Sequence, residues 1–161
     1  MKTVYLMRHG KSKRGPEYET DHERPLAKRG KRDAVRMGEF MAENDFMPDL
    51  IVSSPAERAR DTTQRCADAA DYQGQIRLEE TLYFAGDETY LDLLWGLEDT
   101  VGSVLLVGHN PSTESIIETL SGQYTRMPTA ALARIEFQIE SWSELVEESG
   151  HLAWVQWPRE L

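Results

Sequence analysis

Two histidines and two arginines of this 161-residue chain fall at the ends of short apolar runs. Arg8-His9-Gly10 follows Thr3–Met7, Ser53-Ser54-Pro55 with Arg58 follows Leu50-Ile51-Val52, and Gly108-His109-Asn110-Pro111 follows Ser103–Val107. Guanidiniums are planar, permanently charged, bidentate donors, so two of them make a fork for phosphate oxygens. Histidine can act near neutral pH as nucleophile, base or donor. A helix N-terminus behind Pro55 or Pro111 would add a dipole that favours an anion. Each group alone has an ordinary reading: His109 as a turn or capping residue, Arg58 as a solvated helix residue, Arg-His-Gly as a chance tripeptide. Joint placement at strand ends carries the argument. The sequence has no aspartate–Mg²⁺ pattern and no glycine-rich phosphate loop, which disfavours a nucleotide-driven kinase. Its histidines lack HExxH spacing, which disfavours a zinc hydrolase. Phosphoryl transfer through histidine, with no metal and no cofactor, fits what remains.

The elements that must position these groups are legible as patterns. Thr3–Met7, Leu50–Val52 and Ser103–Val107 read as buried strands, and Ile76–Leu78 as a weaker one. Residues 27–43 carry apolar side chains at helical spacing despite Gly30 and Gly38. Ser54 is expected to cap a helix running to about Ala70, with Pro55 in its first turn. Residues 87–98 and 112–121 complete the helices. Ala131–Ile139 and His151–Trp157 read as two late strands, with the acidic stretch between them a loop or short helix. Strands and helices alternate four times before the final pair of strands, which predicts an α/β fold. The expectation is a single three-layer domain over residues 1–161, with a mostly parallel central sheet and helices on both faces. In such sheets ligands bind beyond the carboxyl ends of the strands, where the four residues converge.

Composition narrows the partners. The net charge is −10, which argues against nucleic acid and anionic membranes, since both need a cationic face. The charge is uneven. Residues 1–36 hold 11 Lys/Arg against 5 Asp/Glu, and the remaining residues hold 7 against 23. A positive potential focused at one strand edge would suit a small anion, and the acidic remainder would repel partners with acidic surfaces. Cys66, the single cysteine, falls in an amphipathic stretch and reads as a small buried hydrophobe. The N-terminal apolar run is too short for a signal peptide and no run suffices for a membrane span, so a soluble cytoplasmic protein is expected; a monomer is the separate expectation for its assembly. Trp142, Trp154 and Trp157 are expected to pack the last strands.

The ordered set resembles the histidine phosphatase superfamily, which also contains the phosphoglycerate mutases, and within it the short SixA-type phosphohistidine phosphatases. The resemblance rests on Arg8-His9-Gly10, Arg24-Pro25-Leu26 with Gly30, Ser53-Ser54-Pro55 with Arg58, Ala59 and Thr62, Val107–Pro111, and Met127-Pro128-Thr129. It implies a phosphoglycerate mutase-like fold with a minimal cap. It implies His9 as the transiently phosphorylated nucleophile, Arg8 and Arg58 as phosphoryl ligands, and His109 as a donor to the same oxygens. For His9 to attack through a neutral nitrogen, its other nitrogen is expected to donate to a backbone carbonyl. Arg24, oriented by Asp21, is a further substrate-binding candidate. Glu80 lies where the mutase-like relatives carry a general acid, with Glu79 beside it; strand alternation would turn one of the pair to the pocket. The short loops leave no lid. An open site favours a phosphorylated protein of the histidine-containing phosphotransfer type, with a small phosphate ester as the alternative and a non-catalytic phosphate-binding module as the third reading.

Overall fold

The two central strands are buried on both faces, and this dictates the layers. In a computed structural model describing residues 1–161, β1 (Lys2–Arg8) and β4 (Ser103–Gly108) pair in parallel. Val4, Leu6, Val104 and Leu106 enter one hydrophobic core; Tyr5, Met7, Leu105 and Val107 enter the other. Continuous apolar runs are the mark of strands covered on both sides. The second core is closed by α1 (Lys28–Glu43) and α2 (Glu57–Ala69), through Met37, Met41, Ala59, Cys66 and Ala67. The first is closed by α3 (Asp87–Trp95) and α4 (Ser112–Ser121), through Tyr90, Leu91, Leu94, Ile116, Ile117 and Leu120. Cys66 is 2% exposed, and burial pushes its thiol up to about 12.

The remaining strands are β2 (Leu50–Ser53), β3 (Gln75–Leu78), β5 (Leu132–Phe137) and β6 (His151–Gln156). Their order is β3-β2-β4-β1-β5-β6. The first four run parallel, while β5 is antiparallel to both of its neighbours. The expected three-layer α/β domain is therefore present. β3 is mostly exposed at the sheet edge, which explains its weak apolar signal. Trp142 is fully buried, whereas Trp154 and Trp157 are partly buried against the cores.

Local expectations change at element ends: the helix expected over 87–98 stops at Trp95, and Pro55 lies before the helix it was expected to start. The late strand is shorter than Ala131–Ile139. The helix after β2 begins at Glu57 with Ala56 as its cap residue, and Ser54 does not cap it. Ser54 is fully buried beside His109 instead.

Register brings the functional ends level. Arg8 lies opposite Gly108, and Ser53 lies opposite Val107. The pairing continues past the strands, His9 N–H donating to Gly108 O and Ser54 N–H to Val107 O, each at 3.0 Å. Ala130, in the left-handed region at φ 63, donates its N–H to both Arg8 O and His9 O at 3.0 Å. The chain thus holds a non-glycine residue in a costly conformation to tie off the end of β1.

Candidate active site

The backbone after β1 is clamped from both helices of one layer. Gly10 N–H donates to Thr62 Oγ1 at 2.9 Å, and that hydroxyl donates to Arg58 O at 2.6 Å. A side chain on Gly10 would come within 2.8 Å of Gly30 O, and one on Gly30 would collide with the Lys11 carbonyl. The glycine in the first turn of α1 is thus there for close approach, not for helix propensity.

His9 Nδ1 lies 2.7 Å from Gly10 O. A carbonyl can only accept, so the proton sits on Nδ1 and the neutral ring keeps Nε2 free, the tautomer a nucleophile needs. His9 is 7% exposed. Burial, with the nearby His109, Arg58 and Arg8 charges acting the same way, pushes its pKa down to about 3. The His109 ring centroid lies 5.1 Å from that of His9. His109 Nε2 meets Ser54 Oγ at 2.8 Å, and its buried Nδ1 has no partner. Burial, then the Arg58 charge, brings its pKa down to about 4.

Both guanidiniums are preset with donors to spare. Arg58 is 5% exposed and donates from Nη1 to Asp21 O at 2.7 Å and from Nη2 to Asp21 Oδ2 at 2.9 Å. Arg8 donates from Nη1 to Met127 O at 3.2 Å. The Nε of each is buried without a partner. Burial lowers the Arg8 pKa, against the attraction of Glu114, but an arginine remains a cation. Unmatched buried donors are costly unless something accepts from them, and an oxyanion would accept from both.

Asp21 organises this edge. Besides Arg58, its carboxylate accepts from Tyr83 Oη at 2.7 Å and from Arg24 Nε at 2.8 Å. The Tyr83 bond and then Arg58 hold its pKa down at about 2.

Arg8, His9, Arg24, Arg58 and His109 line one cavity of about 140 Å³, joined by Lys11, Arg14, Ser12, Asn110 and Thr129. No carboxylate and no hydrophobic side chain lines it. Glu80 is the exception among the sequence candidates. It is exposed, opens a short 3₁₀ turn over Glu80–Leu82, and lines neither this cavity nor the one adjoining it at Tyr83 and Phe84. Glu79 accepts from Thr81 Oγ1 at 3.1 Å and faces a separate surface hollow. The alternation that would have aimed one of them inward ends where the turn begins.

Sequence reasoning missed Tyr83 and Asn110 as parts of the site. Asn110 Nδ2 spans Glu114 Oε2 and Met127 O at 3.1 and 3.0 Å; its place next to His109 was the available signal. No three His, Cys, Asp or Glu side chains cluster as a metal-ligand set.

Fold and site together describe an α/β domain with a cationic, anion-binding cavity at the ends of its parallel strands. The family pattern described as Histidine phosphatase superfamily (branch 1) matches residues 4–83. A Mycobacterium leprae protein is 30% identical over 95% of this chain and 100% of its own length. The SixA protein of Agrobacterium tumefaciens superposes with a TM-score of 0.84 at 32% identity, with 98% of each chain covered. The protein histidine phosphatase SixA complexed with tungstate superposes at 0.85, with the same coverage and 22% identity, a likeness of fold. The chain belongs to the histidine phosphatase superfamily.

Proposed function

We propose that this phosphatase removes phosphate from phosphohistidine on a partner protein, through a phosphohistidine intermediate on His9 and without a metal. The observation that carries the reading is a free His9 Nε2 in a cavity lined by five cationic side chains and no carboxylate. His9 Nε2 attacks phosphorus, and the bond from phosphorus to the substrate nitrogen breaks. The electron pair leaves with an imidazole already protonated at its other nitrogen, so the departing group is neutral. Water then attacks in line, releases orthophosphate and restores His9. Arg8 and Arg58 hold the equatorial oxygens, Arg24 supports them, and His109 donates as charge shifts. Such a transition state is stabilised by positioning and electrostatics. An alkoxide leaving group would need an acid, and no carboxyl lines the cavity to supply one.

Exposure supports a protein substrate. Phe84, 87% exposed, stands on the wall of the cavity that shares Arg58, His109 and Asn110 with the phosphate site. The segment from β3 to β4 holds only a 3₁₀ turn and α3, so no lid covers the opening. No helix is long and apolar enough to cross a membrane.

The test is a parallel assay on a phosphohistidine protein, a phosphoserine peptide and small phosphate esters. Phosphohistidine is expected to be hydrolysed fastest, with no effect of a chelator. Faster turnover of esters would favour the small-ester alternative. Glu80→Gln is expected to leave kcat and KM unchanged on every substrate, because the side chain faces solvent. A loss confined to esters would put its carboxyl at the leaving group.

The depressed histidines set the pH dependence. With His9 at about 3 and His109 at about 4, both are neutral through the physiological range. The plot of kcat/KM, corrected for substrate ionisation, is expected to stay level down to about pH 5, since it reports the free enzyme's groups. An acid limb centred near the ordinary histidine value of 6.5 would contradict it. Stability follows the same sign. The unfolded chain binds protons below about pH 6.5 that the folded chain refuses, so stability is full above that value and falls as pH drops toward the folded values. Urea melts at about pH 7 and about pH 5 are expected to show the lower midpoint at the lower pH.

A further inference from the structure

A second cavity, about 270 Å³, lies between α1, residues 126–129 and the C-terminal turn Pro158–Glu160. Five arginines line it: Arg29, Arg32 and Arg36 along one face of α1, with Arg126 and Arg159 opposite. In a chain of net charge −10, with 18 Lys/Arg in all, this is a marked concentration of like charge. Asp33 is the one carboxylate lining the cavity, and its oxygen is 3.6 Å from Arg32 Nε. Arg36 donates to Leu161 O at 3.0 Å. Arg29, Arg126 and Arg159 form no ion pair. Arg126 and Arg159 instead stand over the Trp157 ring, 5.8 and 4.6 Å from its centroid. Cation–π contact orders these two guanidiniums while leaving their N–H edges free. Guanidiniums gathered this way repel one another until an anion joins them.

The shape selects the anion. From Arg29 to Arg36 the helix rises about 10 Å, the reach of about three residues of extended chain. A single phosphate spans far less. The cavity also adjoins the active site: Thr129 lines both, and Arg8 donates to the carbonyl of Met127, the residue after Arg126. We infer that this arginine groove docks an acidic segment of the phosphoprotein substrate and so holds its phosphorylated side chain at His9. The inference rests on the phosphoprotein reading above. It reverses, at this edge, the expectation that the acidic chain turns acidic partners away.

The test is the triple variant Arg29→Glu/Arg126→Glu/Arg159→Glu, beside Arg29→Lys/Arg126→Lys/Arg159→Lys to keep the charge. Two readouts are needed: binding of a hexaglutamate peptide, followed by calorimetry and intrinsic tryptophan fluorescence, and kinetics on an acidic phosphohistidine protein and on free phosphohistidine. The glutamate variant is expected to lose hexaglutamate binding. Its kcat/KM on the protein substrate should fall roughly 10- to 100-fold through KM, with reduced salt dependence. Turnover of free phosphohistidine should be unchanged, and the lysine variant should retain most of the protein activity. Equal losses on both substrates, or unchanged protein kinetics, would overturn the inference. A pyrophosphate affinity that falls in the glutamate variant while hexaglutamate binding does not would overturn it in favour of a small-anion site in the groove. Wild-type protein that binds hexaglutamate but hydrolyses no phosphohistidine protein would sink the proposed function and the substrate-docking role together, leaving only an acidic-peptide site.

Discussion

His9→Ala is expected to abolish turnover, lowering kcat by about four orders of magnitude or more, as for other groups that act as a covalent unit. Wild-type enzyme quenched in base after brief exposure to substrate should carry acid-labile phosphate on His9, and the variant should carry none. The backbone explains why the loss should be chemical. His9 N–H is fixed to Gly108 O, and His9 O accepts from Ala130 N–H; neither bond uses the imidazole. The ring's one polar contact is to the neighbouring Gly10 carbonyl, so truncation leaves the strand end in place and removes the nucleophile. An active His9→Ala enzyme would overturn the covalent route and point to direct attack by water.

Arg58→Ala should have the next largest effect, a fall in kcat/KM of about 10² to 10³. The guanidinium is buried and held on two sides by Asp21, and its remaining N–H groups, Nε among them, stand ready for an oxyanion. Arg58→Lys should recover little, because an ammonium cannot bond to Asp21 and bridge phosphate oxygens in one plane. Asp21→Asn separates positioning from contact. It should cost less, about 10-fold, because Arg58 keeps its bond to the Asp21 backbone carbonyl. A loss in Asp21→Asn equal to that in Arg58→Ala would mean that the loop, not the cation, is what the reaction needs.

Much of the fold was legible because burial on both faces of a sheet leaves a simple mark. Thr3–Met7 and Ser103–Val107 are near-continuous apolar runs, and both are central strands. Edge strand β3 left a faint mark for the opposite reason. The site's order was legible as well. Arg8 ends β1, His9 and His109 follow β1 and β4, and Arg58 lies in the first turn of the helix after β2; parallel strands end on one edge. Glu80 lies off the cavity lining, which the sequence could not show because an alternating pattern carries no information about where the strand ceases to alternate. Ser54 looked like a cap because capping depends on short-range sequence. Its hydroxyl accepts from Ala56 N–H just before the helix at 3.3 Å, and its closer partner, His109, is 55 residues away and arrives only through the pairing of β2 with β4.

By itself, then, the sequence determined the layers, the strand ends and the class of chemistry, because each follows from local periodicity and residue type. Tertiary structure decided what each group can do. The bond from His9 Nδ1 to Gly10 O selects the tautomer, and burial keeps both histidines neutral. Asp21 aims Arg58 and Arg24 from a loop no periodicity describes. The arginine groove is assembled from α1, residue 126 and the C-terminal turn, segments about 90 and 30 residues apart in sequence. A charge count along the chain places positive charge in the first 36 residues. Only the folded chain shows that part of it faces a groove beside the phosphate site, because electrostatic potential depends on distances in space and not on order in sequence.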